Sequence, residues 1–474
     1  MSLPTIFAND DTYFRSAVGF LQKYSWIYRE ANTCCLKSLN DMPSNFKDYF
    51  LRLSNEHLNK FPFVHEHLDG CPKEVECFRE EIAKLTPTQT ALSAPPLPRN
   101  FSGNNRKIAT KKLHEIEQLA AHIHGHCADT QFIIDLGSGL GYLSEALLQR
   151  NDNYLILGLE ADEQRVQAAR QRSQELLPQK THKSISYQQL FITADASSCA
   201  RIEQYASELA AGNELPRALR TTIIGLHACA DLSISAMLLF LAMPQVRCLH
   251  IMPCCYHKLA LRCEAEGPAD DSSARSSFIN FPLSKVLREA MSADCAVAWF
   301  NRPFMRLACQ QTNSRWRCDA RAHAENGSRM FVRALAEALC DADELTKVKR
   351  YDTKEARAQG PTQQDVLTFA DIQQKYQLWS RQTDQPLDWR SVHETRFAEI
   401  TELYADGRGS LLAEALCCLQ ASIQQLCENV VLYDRLCYLR EVAAAQQLRL
   451  EVRYEKLFDE KVSPRCRVLI AEKL

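Results

Sequence analysis

Two apolar runs stop on reactive side chains. IIGLHACADLS carries His227, Cys229 and Asp231, and IMPCCYHKL carries Cys254, Cys255, Tyr256 and His257. Imidazole, carboxylate and phenol can hold or move a proton, whereas a thiolate can attack carbon or bind a soft metal. Three chemistries fit these residue types. In the first, His257 or Asp231 is a base or orienting acceptor for an incoming nucleophile, and Tyr256 supplies a stacking platform or a hydroxyl. In the second, a thiolate of Cys229, Cys254 or Cys255 adds to a pyrimidine and makes its carbon nucleophilic. In the third, His227, Cys229, Cys255 and His257 hold zinc, but H-x-C and C-C-x-H are not the usual paired ligand knuckles, and no metal is assigned. A single cysteine is more often just a small buried hydrophobe. The combination on two strands is not explained that way, and the first chemistry is preferred.

A third stretch, FIIDLGSGLGYLSEAL, places Asp135, Gly137, Gly139 and Gly141 at a strand-to-helix turn. Glycines there let the backbone turn tightly and a ligand approach the amides of the helix N-terminus. Tyr142 stands where the dinucleotide fingerprint needs its last glycine. The spacing D-x-G-x-G-x-G instead resembles the first motif of class I S-adenosyl-L-methionine-dependent methyltransferases. That resemblance implies S-adenosyl-L-methionine as cofactor, with its methionine end over the turn. Glu160 ends the next run, LILGLEAD, 19 residues beyond Gly141, where a carboxylate accepts from both ribose hydroxyls. Asp195, taken as the end of a third strand in FITAD, is assigned the adenine amino group.

These residues need a frame to bring them together. From Lys107 to about His257, apolar runs of strand length (QFIIDLG, NYLILGLE, SYQQLFITAD, TTIIGLHA, VRCLHIMP) alternate with helical stretches. Such alternation predicts a parallel sheet covered on both faces, with ligands beyond the carboxyl ends of the strands. The fourth and fifth strands are expected to be neighbours. The tail offers QLRLEVRYEKLFD and PRCRVLIAEKL as a sixth and a seventh strand paired in a hairpin. The expected fold is therefore α/β: a class I, Rossmann-like seven-stranded sheet with an N-terminal helical region and a large helical insertion before the last two strands. The divisions are 1–86 helical, 87–106 linker, 107–259 cofactor-binding core, 260–277 flexible loop, 278–430 helical insertion facing the substrate, and 431–474 completing the sheet.

With 46% hydrophobic residues in 474, a sizeable core is affordable, and a net charge of −2 advertises no global nucleic-acid or membrane partner. No window approaches the roughly 18 uncharged apolar residues of a membrane span. The 20 cysteines, with no secretory signal pattern in MSLPTIFANDDTYF, are read as reduced thiols of a cytoplasmic or nuclear protein.

Taken together, TKKLHEIEQL, IDLGSGLGYLSEAL, IIGLHACADLS, IMPCCYHKL, FINFPLS, MRLACQQTNSRW, VVLYDRLCYLREV and SPRCRVLIAEK resemble the methyltransferase-like protein 25 family, also called ribosomal RNA adenine dimethylase domain-containing proteins. The resemblance covers most of the chain and implies a class I methyltransferase. It aligns Lys111, Lys112, His114 and Glu115 with the family's lysine-lysine-x-histidine-glutamate pattern, and Lys112, His114 and Glu115 are expected near the cofactor. Their alternative is an ordinary solvated helix face capped by Thr110. Ala230 stands where the family has glycine, and Ala109 and Thr110 stand for its methionine-serine. No Asn/Asp-Pro-Pro-Tyr/Phe tetrad follows the fourth strand, so adenine dimethylation is not expected. The H-x-C and C-C-x-H pairs are similar to those of a tRNA ribose 2′-O-methyltransferase family, which points to RNA (tRNA or rRNA) and a hydroxyl nucleophile.

Residues 301–333 add seven arginines against Asp319 and Glu325, with Phe304, Trp316 and Phe331 interspersed. Arginines on phosphates and aromatic planes on unpaired bases would make an RNA surface, and solvated helices are the plainer account. KVKRYDTKEAR, 347–357, is a smaller basic run. The reading is a methyltransferase acting on RNA. A protein methyltransferase, and a non-catalytic scaffold that docks a protein partner, are the alternatives.

Overall fold

The computed structural model describes residues 3–63, 70–87, 108–127, 129–213, 219–262, 278–291, 296–310, 319–340, 345–351, 367–405 and 407–474. The expected linker and flexible loop lie outside the described residues, apart from 87 and 260–262. Before the sheet come helices α1 (Asp10–Lys23), α2 (Cys35–Asp41), α3 (Ser44–Phe50), α4 (Asn55–Lys60), α5 (Lys73–Leu85) and α6 (Thr110–His126). The sheet units then follow in turn: β1 (Phe132–Leu136), α7 (Tyr142–Arg150), β2 (Leu155–Glu160), α8 (Glu163–Leu176), β3 (Ile185–Gln189), α9 (Ala196–Ala211), β4 (Thr221–Cys229), α10 (Leu232–Ala242) and β5 (Val246–Cys254).

β1 and β2 are buried at every residue, as strands covered on both faces must be. Strands β1 to β5 pair in parallel, and the tail adds β9 (Leu450–Lys456) and β10 (Arg467–Lys473). The order is β3-β2-β1-β4-β5-β10-β9, with β10 antiparallel to both β5 and β9. The seven-stranded sheet of a class I methyltransferase is therefore present, with its fourth and fifth strands adjacent and its last two in a hairpin.

Side chains on β5 alternate between two cores. Leu249 and Ile251 join the larger one with the N-terminal helices, while Met252 and the partly buried Cys248 join the smaller one under α6 and α7. One face of β5 therefore runs Cys248, His250, Met252, Cys254 beneath α6.

Three expectations need correction. β3 stops at Gln189, so Asp195 lies beyond the strand, at the cap of α9. The region 278–430 holds helices α11 (Lys285–Met291), α12 (Ala296–Trp299), α13 (Arg302–Ala308), α14 (Ala320–Ala338), α15 (Phe369–Lys375) and α16 (Ser391–Glu402). It also holds a small sheet of β6 (Thr346–Arg350), β7 (Tyr376–Ser380) and β8 (Pro386–Leu387). Thr346 and Val348 are buried while Lys347, Lys349 and Arg350 are not, so strand alternation hides inside what reads as a basic run. Finally, the boundary at 430 falls within α17 (Arg408–Ala445), a 38-residue helix. Its Asn429 donates to the Tyr13 hydroxyl, and its Asp434 accepts from the Leu283 and Ser284 amides at 2.8 Å. The N-terminal helices, the insertion and one sheet face thus share a hydrophobic core. Among the described residues, no helix is long and apolar enough to cross a membrane.

Candidate active site

The turn after β1 has φ of +70° at Gly137, +57° at Gly139 and +78° at Gly141, a region that side chains rarely adopt. A Cβ on Gly141 would lie 2.2 Å from the Tyr187 hydroxyl oxygen, so only glycine fits there. One on Gly137 would meet Leu232 Cδ2 at 3.1 Å, which places the turn against the start of α10, just past the end of β4. A Cβ on Gly139 would meet, among the described residues, nothing nearer than the Gly137 carbonyl oxygen at 4.0 Å, so the turn is open to them on that side. Beneath it, Asp135 is buried and accepts from Ser144 Oγ at 2.7 Å. Burial, against that hydrogen bond, pushes its carboxyl up to about 6.

Glu160, at the end of β2, accepts from the Gly139 amide at 3.0 Å through one oxygen and from the Ala161 and Asp162 amides at 3.0 and 3.2 Å through the other. It is already locked to the glycine turn. The nearby Ser138 hydroxyl is buried with no partner among the described residues. Asp195 is exposed and caps α9 by accepting from the Ser198 amide at 2.7 Å, and that bond holds its carboxyl below the ordinary range.

α6 carries the lysine-lysine-x-histidine-glutamate residues. The helix starts at Thr110 with Ala109 as its N-cap and no side-chain cap, so the expected Thr110 cap is not made. Lys112 Nζ stands 4.2 Å from the ring centre of Tyr142, the first residue of α7, and Arg172 stands on the same ring at 4.2 Å. Burial, reinforced by Arg172, lowers the Lys112 ammonium. His114 turns the other way, against Phe458, and accepts from the Asp459 amide at 3.4 Å. It docks the connection between β9 and β10.

Glu115 is 2% exposed. It accepts from Ser463 Oγ at 2.6 Å, faces His227 Nε2 at 3.3 Å and has Lys111 at 3.7 Å. Burial alone would raise its carboxyl, but the His227 and Ser463 hydrogen bonds and the neighbouring cations outweigh it and hold the group below its ordinary range. Glu115 and His227 therefore form a carboxylate–imidazole dyad at the sheet rim, with the His227 side chain still 48% exposed.

A β-bulge creates this pairing. Gly225 pairs with Ile251 and Ala228 with Pro253, so β4 advances three residues while β5 advances two. The extra residue flips the alternation: Leu226 packs on the smaller core and Ala228 on the larger, which aims His227 at α6. Gly225 inside an apolar run is the sequence signal for such a bulge.

Beside the dyad, Cys229 Sγ lies 2.9 Å from Cys254 Sγ, and the sulfurs of Cys229, Cys254 and Cys255 all lie within 4.8 Å of one another. Hydrogen bonds from Cys254 first, and also Cys229, lower the Cys255 thiol to about 5 against the effect of burial, with Lys258 and His227 assisting. Cys254, which is buried, is correspondingly raised. Cys255 has φ +52°, which bends the chain at the end of β5.

The remaining rim residues are each held by a neighbouring segment. Asp231 accepts from the Ala260 amide at 3.0 Å and from Asn280 Nδ2 at 2.7 Å, tying down the chain after β5. Tyr256 is 1% exposed, its hydroxyl 3.3 Å from Glu428 Oε1, so it offers no stacking face; that expectation is corrected. His257 Nδ1 lies 3.0 Å from Cys309 Sγ. His227 faces a carboxylate, and its partner Glu115 comes from a helix that the motifs had associated with the cofactor. Ala230 keeps the left-handed turn that a glycine would make freely, at φ +49°.

Residues 111–262 match a family model described as a methyltransferase domain. Among curated proteins, the chain is 26% identical over 257 residues to the probable methyltransferase-like protein 25 of Mus musculus, a match covering 53% of this chain and 37% of that protein. The chain thus spans little more than a third of the length of that curated relative, and the expected resemblance is borne out. The matched descriptions name a methyltransferase and no ribosomal adenine dimethylase. Among solved structures, the plantazolicin methyltransferase BpumL in complex with SAH matches with a TM-score of 0.21 and 11% identity, over 67% of this chain and 85% of that one. That likeness is too distant to bear on the substrate.

Proposed function

We propose that this chain, whose residues 111–262 match a methyltransferase-domain model, transfers a methyl group from S-adenosyl-L-methionine to a hydroxyl of RNA, with His227 as the base. The observation that carries the reading is the Glu115–His227 dyad, 3.3 Å apart, on the strand end next to the glycine turn. A sulfonium methyl is already activated, so positioning suffices for a good nucleophile; a neutral hydroxyl is a poor one and needs a base. Ionised Glu115 selects the tautomer with hydrogen on Nε2, which leaves the Nδ1 lone pair to take the hydroxyl proton. The half-exposed ring can reach an acceptor from solvent.

The turn fits the cofactor. Its three left-handed glycines leave space over Gly139, the buried Ser138 hydroxyl lacks a partner among the described residues, and Glu160 is poised beside both. When bound, the cofactor supplies the activated methyl group. Gly137, Gly139 and Gly141 would cradle its methionine end, Lys112 would face the carboxylate, and Glu160 would accept from the ribose hydroxyls. Asp195, exposed beyond β3, would meet the adenine amine.

RNA would dock through the 301–333 segment, where Arg306, Arg321 and Arg329 are exposed. Phe304 and Phe331 are core residues and cannot stack on bases, while Trp316 lies outside the described residues. A cytoplasmic or nuclear location accompanies this reading.

Calorimetric titration with S-adenosyl-L-methionine should give binding that Glu160→Ala weakens by about tenfold or more. Incubation with labelled cofactor and cellular RNA should yield nuclease-sensitive label. His227→Ala should abolish that transfer and leave cofactor binding intact. Label that resists nuclease but yields to protease would replace RNA by a protein acceptor. Binding with no transfer to any fraction would make the chain a scaffold.

A further inference from the structure

At the opposite end of the sheet, far from the rim, a second group of sulfur and nitrogen atoms converges. Cys127 caps the C-terminus of α6, and Cys248 and His250 stand near the start of β5 on the face that α6 covers. Cys127 Sγ lies 3.2 Å from His250 Nε2, and these two atoms and Cys248 Sγ all lie within 4.8 Å of one another. His122, one turn earlier on α6, puts its ring centre 5.2 Å from that of His250.

The burial of this cluster is what calls for a ligand. Cys127 is 1% exposed, His250 2% and His122 6%; His250 Nε2 faces the Cys127 sulfur, and His122 Nε2 has no hydrogen-bond partner among the described residues. A buried imidazole nitrogen without a partner, in a cluster with one buried and one partly buried thiol, is unusual in a folded core, and a soft metal ion is a partner that suits both. Sequence alone gives no hint, because the four residues are scattered over more than a hundred positions.

We propose that Cys127, Cys248, His250 and His122 form a structural site for one zinc-class divalent ion. Two thiolates and two imidazoles are the donor set such an ion takes in closed tetrahedral sites. With metal–sulfur bonds near 2.3 Å and metal–nitrogen bonds near 2.0 Å, sulfur and nitrogen ligands sit roughly 3.6 Å apart, close to the separation found here between Cys127 and His250. Three of the donors already lie together, and His122, its ring centre 5.2 Å from that of His250, would turn toward them as the fourth. Both thiol protons leave to solvent on binding, and nothing is oxidised or reduced. The ion pins the foot of α6 to β5. From Cys127 to Glu115 that helix rises about 18 Å, and from Cys248 to Cys254 the strand rises about 20 Å. A clamp at the foot therefore sets where Glu115 stands at the rim.

The test uses the full chain, free of any polyhistidine tag, stripped with a chelator under reducing conditions and titrated with cobalt(II). The expected result is one ion per chain, with thiolate-to-cobalt charge transfer and the intense visible bands of tetrahedral cobalt, both displaced by zinc. Cys127→Ala with Cys248→Ala should lose the charge transfer. Cys229→Ala with Cys255→Ala at the rim should keep it. His122→Gln, which retains both thiols, should weaken affinity by about tenfold or more and shift the visible bands; it serves if the double variant does not fold. The site is overturned if the wild-type chain gives no tetrahedral spectrum, if the rim variant alone abolishes it, or if peptide mapping finds Cys127 and Cys248 joined as a disulfide.

Discussion

The two ends of α6 meet the same kinds of atom and treat them differently. At the rim, Glu115 faces His227 beside Cys229, Cys254 and Cys255; at the foot, Cys127 faces Cys248 and His250. Cys248, His250 and Cys254 even share one face of one strand. What separates the groups is water. The His227 side chain is 48% exposed and has a buried carboxylate behind it, whereas His250 is 2% exposed with a bare nitrogen. A solvated imidazole with an anionic partner can exchange protons with a substrate. A buried one facing thiols is sealed from any substrate. Residue type thus limits what a cluster can do, and hydration selects between reacting and holding.

The sharpest way to break this contrast is alkylation. At pH 6 the lowered Cys255 thiol is mostly thiolate, while Cys254 and Cys127 are raised, so iodoacetamide should modify Cys255 about a hundredfold faster or more, as read by peptide mass spectrometry. Equal rates would mean the rim and foot thiols do not differ. Next in size, His250→Ala empties a buried foot position and should cost about 2–4 kcal/mol in chemical denaturation. His227→Ala at the rim should cost less than about 1 kcal/mol, and a reversal would move the structural cluster to the rim.

Glu115→Gln should cost about 1–3 kcal/mol at neutral pH. The sign follows from its lowered folded carboxyl: this stability is present above the unfolded carboxylate range and lost as pH falls through the folded value. The variant should therefore flatten the acid limb of the stability profile, and an unchanged limb would show that the dyad is not ionic. The smallest effect is expected at Ala230. Its φ of +49° suits glycine, so Ala230→Gly should stabilise the chain by about 1 kcal/mol, measured by the same unfolding curves.

The frame was readable because a buried parallel strand advertises itself. FII and LILGL are apolar runs leading into Asp135 and Glu160, and each became a strand with its candidate residue at the carboxyl end. Asp195 misled because the run SYQQLFITAD is less apolar, and pairing with β2 gives out at Gln189. The dyad was out of reach for a different reason. His227 faces α6 only because of one extra residue in β4, and a pattern of period two cannot show a phase change unless Gly225 is taken as its marker. Tyr256 looked catalytic by company; it is buried and its hydroxyl donates to Glu428, 172 residues later. Distant partners of that kind leave no local trace.

The long helix α17 has a practical corollary. It buries Glu414, Glu428 and Asp434 along its length, and these carboxylates are matched by residues from distant parts of the chain: His323, Arg465 and the Ser284 amide among them, with Asp10 accepting from Tyr433. Trimming the chain to the sheet alone would strand several charges in oil at once. Whoever seeks a minimal fragment should expect aggregates, and the helices that look like appendages are the ballast that keeps the sheet afloat.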